Sequence, residues 1–468
     1  MQNSRRLFLK GGGIALASIG LIPALGPAFL RRAVYGAEPG KRGKVMICLF
    51  QRGAADGLSM VTPHGDLDLY KLRPQIAIAR PKSGDTANTA LDLDGFFGLH
   101  PALAPLMPIY KSGHMAIIHA AGSPSGTRSH FDAQDYMESG TPDNKGIGDG
   151  WLSRTAMLCP EDAKTRFRDQ AKAKGNPFRA VALGGAMPRI LQGDANALAI
   201  PDLRAFGIRD QGMGMGGGGN GRGKRGKGTS AGDNAAMTAA MVTTGGATAE
   251  GGFETIYDKA VGDVLHGTAQ ESFEAIDMLK KLDMKAYQPA NGAEYPPGKF
   301  GTSLQQIAQL IKSQVGLQIA FADMGGWDTH VNQGGATGQL ALRLREWGQG
   351  LAALYTDLGD YMADVTILTM SEFGRAARQN GGGGSDHGHG AAFFALGGDV
   401  NGGKVFGDWP GLSPEKLYEN RDLAVTTDFR AVFSEVATKH LQIPPTGIPK
   451  MFPGYKGTAA DFRGVIRG

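Results

Sequence analysis

Two histidines and two carboxylates occupy a short glycine-rich stretch late in the chain, and these residue types suit metal binding. Glu372 follows the apolar run 365–370, which predicts a buried strand. After a glycine-rich loop come Asp386, His387 and His389, with glycine on both sides of His389. In extended backbone the two histidines would point to the same side, because side chains alternate with period two. This pattern predicts part of a metal site, and the alternative is a polar loop that merely contains histidines.

Further candidate residues follow two other apolar runs. The run 44–50 leads to Asp56, which is either part of a turn or a metal carboxylate at the end of the first strand. The run 316–324 leads to Asp328 and His330, again an aspartate and a histidine after a predicted buried strand. Parallel strands of one sheet bring their carboxyl ends to one edge. We therefore expect these side chains to converge in a single pocket.

A hydroxyl-rich segment follows the apolar run 115–120. Thr127, Arg128 and Ser129 precede a helical pattern, and either hydroxyl is a candidate helix N-cap. A hydroxyl at a helix N-terminus is also a candidate nucleophile or metal ligand, because the free amides favour developing negative charge. The sequence leaves open both the role of the hydroxyl and the choice between Thr127 and Ser129.

Strand, loop and helix patterns alternate along most of the chain. Further strands are predicted at 179–185 and 391–396, and helices at 102–110, 303–312, 338–362 and 427–441, the last with Thr427 as its cap. Residues 253–282 are predicted to form one long helix or a pair of helices. This alternation predicts one doubly wound, mostly parallel α/β domain spanning residues 44–468. Within it, residues 212–252 consist largely of glycine, serine, threonine and alanine, a composition that cannot form a core. They are predicted to be a disordered insert.

The composition is that of an ordinary globular protein and gives no indication of nucleic-acid binding. The 468 residues are 41% hydrophobic and 20% charged, so the chain can bury one large core or two smaller ones. Without the first 37 residues the net charge falls from +5 to about neutral. The two cysteines, Cys48 and Cys159, provide no disulfide framework, and Cys48 is expected in the core because it lies within an apolar strand.

Residues 1–37 have the pattern of an export signal. The segment 4–10, SRRLFLK, places two arginines before an apolar, glycine-rich run that prolines interrupt. It matches the twin-arginine consensus in full, so we expect the twin-arginine translocase as a partner during export. Cleavage is expected near Ala37, giving a periplasmic or otherwise exported protein with no stable membrane span. The alternative is an uncleaved membrane anchor. Twin-arginine export carries folded proteins, often already loaded with a metal, which suits a metal site.

The order of these loops resembles that of the alkaline phosphatase superfamily, and the chain resembles the exported bacterial DUF1501 family more closely. The matching motifs are RGAADGL, LDLDGFFGLHPAL, TRSHFDAQDYMESG, GWDTHVNQG, MSEFGR, DHGHG, FGDWPGL and DLAVTTDFR. Together they cover about residues 44–454. The resemblance implies an alkaline-phosphatase-like α/β fold that binds a divalent metal ion, which could be zinc, manganese, iron or calcium.

The resemblance also implies roles for individual residues. The implied metal ligands lie on the sheet-edge loops and are Asp56, Asp328, His330, Glu372, Asp386, His387 and His389. Ser129 or Thr127 would attack the substrate, and Arg128 or Arg375 would clamp its oxygens. The implied activity is that of a metal-dependent hydrolase or transferase acting on a small or polymer-linked phosphate or sulfate ester. Phe373 stands where the superfamily has a metal histidine, which favours the alternative of a non-catalytic metal- or ligand-binding protein.

Overall fold

The computed structural model describes residues 43–160, 176–203 and 287–467. The predicted export signal, the glycine-rich insert at 212–252 and the predicted helix or helix pair at 253–282 lie outside these residues, so those three predictions stay predictions. Within the three described stretches, none of the helices combines the length and apolar character that crossing a bilayer requires.

The strands are numbered here in chain order. They are β1 Val45–Gln51, β2 Val61–Thr62, β3 Leu91–Asp92, β4 Gly98–Leu99, β5 Met115–Gly122, β6 Ala180–Leu183, β7 Ala197–Ile200, β8 Ile319–Met324, β9 Val365–Met370, β10 Arg375–Gln379, β11 Ser385–His387, β12 Ala391–Gly397, β13 Lys404–Phe406 and β14 Thr427–Asp428. The central sheet has the order β13-β5-β12-β9-β1-β8-β6-β7, with β14 also beside β5. β10 and β11 pair with each other, and β2, β4 and β3 form a small separate sheet.

The central sheet is mostly parallel. β1 lies between β8 and β9 and is parallel to both, and β6 is parallel to β7 and β8. The exception is β12, which runs antiparallel to β5 and to β9. The sheet therefore confirms the predicted fold class, a doubly wound, mostly parallel α/β fold.

Both faces of the sheet are covered, as the almost wholly apolar first strand requires. In β1, Val45, Ile47 and Leu49 belong to one core cluster, whereas Met46, Cys48 and Phe50 belong to the other. Cys48 is fully buried and unpaired, as predicted. The strand contributes alternate side chains to two cores, which is the arrangement of a three-layer α/β domain.

The helices that form the outer layers are also numbered in chain order. They are α1 Gly57–Met60, α2 Asp68–Leu72, α3 Met107–Lys111, α4 His130–Ser139, α5 Trp151–Leu158, α6 Lys299–Lys312, α7 Gln339–Leu358, α8 Phe429–Lys439 and α9 Ile448–Met451. Short 3₁₀ turns occupy Pro101–Leu106, Arg189–Leu191, Gly359–Asp364, Pro414–Lys416, Pro445–Gly447 and Ala459–Asp461.

Four predicted helix limits differ from the structure. The helix predicted at 303–312 begins earlier, at Lys299. The helix predicted at 102–110 begins as a 3₁₀ turn, which contains Pro105, because proline removes an amide donor from a helix interior. The helix predicted at 338–362 ends at Leu358 and continues as a 3₁₀ turn. The prediction that Thr427 caps α8 was wrong, because the side chain of Asp428 accepts the hydrogen bond from the Arg430 amide.

One edge of the sheet gathers the loops with the candidate site residues. In the register, Phe50 pairs with Met370 and Gln51 with Met324, so β1, β8 and β9 end side by side. Because β12 is antiparallel to β9, it begins at this same edge. The loop after β8, Glu372 after β9, and the segment that precedes β12 therefore lie close together.

Candidate metal centre

Four side chains converge at this edge. The Nε2 atom of His387 lies 3.0 Å from Nε2 of His130 and 2.9 Å from Nε2 of His330. Asp328 places Oδ1 2.9 Å from Nε2 of His330 and 3.3 Å from Nε2 of His387, and its Oδ2 lies 3.5 Å from Nε2 of His130. Ligand atoms around a tetrahedral zinc ion lie about 3.3 Å apart, given metal–nitrogen distances of about 2.0–2.1 Å. His130, Asp328 and His387 place one ligand atom each within 4.8 Å of one another, a spacing that suits ligands of one ion. His330 lies beside this group, in contact with His387 and Asp328.

The other ring nitrogen of each histidine faces a hydrogen-bond acceptor. Nδ1 of His130 lies 2.8 Å from Oε1 of Glu372, and Nδ1 of His330 lies 3.1 Å from Oδ1 of Asp386. Nδ1 of His387 lies 2.9 Å from the backbone carbonyl of Arg128. Carboxylates and carbonyls only accept hydrogen bonds, so the hydrogen of each neutral ring belongs on Nδ1. All three Nε2 atoms are then left with a lone pair directed at the cluster, as in metal-bound histidines.

This arrangement needs a positive charge at its centre. Three nitrogen lone pairs and a carboxylate within hydrogen-bond distance would repel one another. In the absence of a metal, a proton can take that place. The hydrogen bond to Glu372 raises the pKa of His130, whereas burial lowers the pKa of His387. A protonated His130 could therefore donate to His387, and a divalent cation would neutralise the cluster more completely.

Arg375 holds Asp328 in position. The guanidinium is buried, and it donates to Asp328 Oδ1 at 2.6 Å and to the backbone carbonyls of Gly53, Ala54, Trp327 and Ser385. Burial alone would raise the pKa of Asp328, but the charge and hydrogen bond of Arg375 lower it below its ordinary value. Asp328 is thus kept ionised while 42% of its side chain stays exposed to solvent. The structure places Arg375 behind the cluster, with its donors occupied by the protein.

Glycine is required where these loops touch. A Cβ atom on Gly388 would lie 2.2 Å from the carbonyl carbon of Arg375. Gly53 has a φ of +115°, and a Cβ atom there would lie 2.9 Å from the amide nitrogen of Asp328. Gly388 therefore allows the backbones of these loops to approach each other closely next to His387.

Glu372 lies behind His130. Its side chain is fully buried, and Oε1 also accepts hydrogen bonds from the amide of Gly53 and from Gln134. Burial alone would raise the pKa of Glu372, but the hydrogen bonds from His130, Gln134 and Gly53 lower it. Glu372 therefore contacts the His130 ring on the side away from the cluster, as a residue that orients His130 would. Asp386 has the same relation to His330, but its side chain is 51% exposed.

Asp56 pairs with Arg73, and both side chains are fully buried 2.7 Å apart. Oδ2 of Asp56 also accepts hydrogen bonds from Ser59 and from Gln333. Arg73 donates further to the carbonyls of Ala376 and Ala377 in β10, and Ser385, at the start of the His387 strand, donates to Gln333. This Asp56 network connects the loops that carry His330 and His387. Asp56 itself makes no hydrogen bond or ion pair with the four clustered side chains.

His389 also has different neighbours from His387. Its ring is buried and stacks on Tyr418, with ring centroids 4.3 Å apart. Burial, with a contribution from the charge of Arg128, lowers the pKa of His389 to about 4. β11 ends at His387. The expectation that both rings point the same way assumed one continuous strand, and it fails for that reason.

The hydroxyls of Thr127 and Ser129 and the guanidinium of Arg128 form hydrogen bonds with other protein groups. Ser129 is the N-cap of α4, and its side chain accepts from the Asp132 amide. The hydroxyl of Thr127 accepts from the Ser129 amide at 3.3 Å. The guanidinium of Arg128 donates to Asp422 and Glu419, so only its backbone carbonyl reaches the cluster. None of the hydrogen bonds described for these three side chains reaches the clustered imidazoles.

Of the seven ligands implied by the resemblance, the structure thus brings together Asp328, His330 and His387, with Glu372 and Asp386 directly behind the histidines. His130 is the member of the cluster that was not predicted from the sequence. It is the first residue of α4 and follows the cap Ser129. The sequence contained a signal for His130, because α4 begins shortly after β5. β5 is antiparallel to β12, so it ends at the same edge of the sheet.

No curated protein matches the chain significantly. Among solved structures, a sulfatase from Pseudoalteromonas sp. is similar at 11% sequence identity and a TM-score of 0.29, covering 85% of this chain and 68% of that one. Residues 224–451 match the family model described as a protein of unknown function, DUF1501, which confirms over those residues the resemblance drawn from the sequence motifs.

Proposed function

We propose that the protein is a metal-dependent hydrolase whose centre is formed by His130, Asp328, His330 and His387. The observation that supports this most strongly is the approach of two further histidine Nε2 atoms to Nε2 of His387, beside the carboxylate of Asp328. Three imidazoles favour zinc or iron over calcium, which prefers oxygen ligands. When bound, such an ion polarises a substrate oxygen and lowers the pKa of coordinated water.

The chain's own residues hold and orient this centre. Glu372, Asp386 and the carbonyl of Arg128 accept from the three Nδ1 atoms, so the ligand nitrogens are fixed in direction. The half-exposed Asp328 leaves one side of the centre open to a substrate.

The proposed substrates are phosphate or sulfate esters, on the basis of the motif order shared with the alkaline phosphatase superfamily. Because Arg128 and Arg375 donate to protein acceptors, the negative oxygens of such an ester would be bound by the ion itself. The same observation favours a second candidate function, metal binding without turnover.

The test begins with metal analysis of the full-length chain after purification without affinity metals. His387→Ala and Asp328→Asn should lose the bound metal. His64→Ala should retain it, since the ring of His64 contacts Asp92 and lies outside the cluster. A metal-free wild-type protein that also fails to bind added zinc or iron would refute the metal centre.

A panel of aryl phosphate and aryl sulfate esters then separates the two candidates. Turnover that chelation removes and that one metal restores supports the hydrolase. Stoichiometric metal without turnover on any ester supports the binding protein. His387→Ala serves as the control for contaminating phosphatases, because it should be inactive with metal added.

A further inference from the structure

Glu372 has the contacts of a positioning residue for His130. Its side chain is fully buried, and Oε1 lies 2.8 Å from Nδ1 of His130, 2.8 Å from the Gly53 amide and 3.0 Å from Nε2 of Gln134. Its other oxygen, Oε2, lies 3.2 Å from the hydroxyl of Ser371. The carboxylate is therefore fixed by the protein on both oxygens.

These contacts allow one tautomer of a neutral His130. An ionised carboxylate accepts and cannot donate, so Nδ1 must carry the hydrogen. Nε2 then presents a lone pair towards His387 and Asp328. The opposite tautomer would place a hydrogen on Nε2, where a metal must bind, and would set a lone pair of Nδ1 against the carboxylate.

We propose that Glu372 holds His130 in the tautomer that binds metal and thereby sets the metal affinity of the site. This inference rests on the proposed metal centre and adds a role for a residue behind it. Partners of this kind typically account for about 10–100-fold in metal affinity.

The centre also contains a matched comparison. Asp386 has the same relation to His330, with 3.1 Å between Oδ1 and Nδ1, but its side chain is 51% exposed. Water can replace an exposed acceptor, whereas a buried acceptor has no substitute. The two carboxylates should therefore differ in effect, with Glu372 the more important.

The direct test is the tautomer of His130 in metal-free wild-type protein. Because Glu372 raises the pKa of His130, the spectra must be recorded at increasing pH until this ring is neutral. Long-range proton–nitrogen spectra of histidine-labelled protein then distinguish the two tautomers. The His130 signal is identified by its loss in His130→Asn. We expect hydrogen on Nδ1. A ring with hydrogen mainly on Nε2 overturns the proposal.

The second test compares metal affinities of full-length variants by competition with a zinc chelator. Glu372→Met removes the acceptor at similar length and should weaken zinc binding by about 10–100-fold. Glu372→Gln keeps an oxygen that can accept from Nδ1, so it should recover most of the affinity. Asp386→Ala should change affinity by less than about threefold, because water can replace the exposed carboxylate.

The outcomes separate this inference from the proposed function. If wild-type protein binds no metal, the metal centre itself fails. If wild-type binds zinc and Glu372→Met binds it equally well, only the role of Glu372 fails. Equal losses in Glu372→Met and Glu372→Gln would show that the charge matters and the tautomer does not, and would also overturn the proposal.

Discussion

The buried pair of Asp56 and Arg73 can be tested by removing each charge alone and then both together. Asp56→Leu leaves the Arg73 guanidinium buried without its counter-ion, and Arg73→Met leaves the Asp56 carboxylate in the same position. Breaking a buried pair in this way typically costs about 3–5 kcal/mol, because the remaining charge cannot be solvated. The double variant contains neither charge, so its cost should fall well below the sum of the two single costs.

The expected shift in melting temperature follows from the size of the folded part. Roughly 330 residues are described, and about 2.1 cal/mol/K per residue gives an unfolding entropy near 0.7 kcal/mol/K. A loss of about 3–5 kcal/mol then lowers the melting temperature by about 4–7 °C in each single variant. Differential scanning calorimetry measures this directly. Costs that add to within about 0.5 kcal/mol in the double variant would refute the pairing argument.

A third variant, Asp56→Asn, distinguishes two roles of Asp56, which are holding the loops in place and binding a metal ion. Asn keeps an acceptor for Gln333 and Ser59 but removes the charge. If Asp56 supports the loops, folded Asp56→Asn protein should hold as much metal as wild type. A folded, metal-free variant would show that Asp56 is a ligand and that its role in the network has been misjudged.

Three further predictions concern pH, export and the glycine-rich segment. Burial alone would raise the pKa of Asp399, but hydrogen bonds from His440 and from Lys44 lower it to about 2. A carboxylate whose pKa is lowered by folding stabilises the fold at pH values above its unfolded pKa, which is near 4. The melting temperatures of wild type and Asp399→Asn should therefore converge as the pH falls from about 4 to about 2. Replacing Arg5 and Arg6 with lysine should leave full-length precursor in the cytoplasm, and processed protein outside the inner membrane would contradict the proposed twin-arginine export. Deletion of residues 212–252 should move the melting temperature by only a few degrees, since this segment is predicted to be disordered and would then contribute little enthalpy. Loss of cooperative unfolding would show that it packs.

The fold could be predicted largely from the apolar runs. A run such as 365–370 is long enough for a strand and too short for a buried helix, so its type was clear. The direction of β12 could not be predicted, because a strand buried on both faces has the same composition whether it is parallel or antiparallel. The cap of α8 was misplaced by one residue, since Thr427 and Asp428 are adjacent and both favour that position.

The candidate site could be predicted only in outline. The rule that loops meet at the carboxyl edge of a parallel sheet correctly gathered Asp328, His330 and His387. It could not distinguish the side chains of the cluster from the side chains that hold them in position. That difference depends on partners distant in sequence, such as Arg73 for Asp56 and His130 for Glu372. No local motif contains this information.

The position of β1 has a consequence for how the chain is made. β1 comes first among the described strands but lies inside the sheet, where Met46 pairs with Ile319 on one side and with Thr366 on the other. During synthesis, more than half of the protein is made after β1 before either partner strand, β8 or β9, has been translated. Both of its edges stay unpaired until then, the condition that promotes association between nascent chains. The long-range pairing also predicts slow folding. A newly made chain should therefore depend on chaperones that cover the N-terminal strand until the last third of the sequence has been translated.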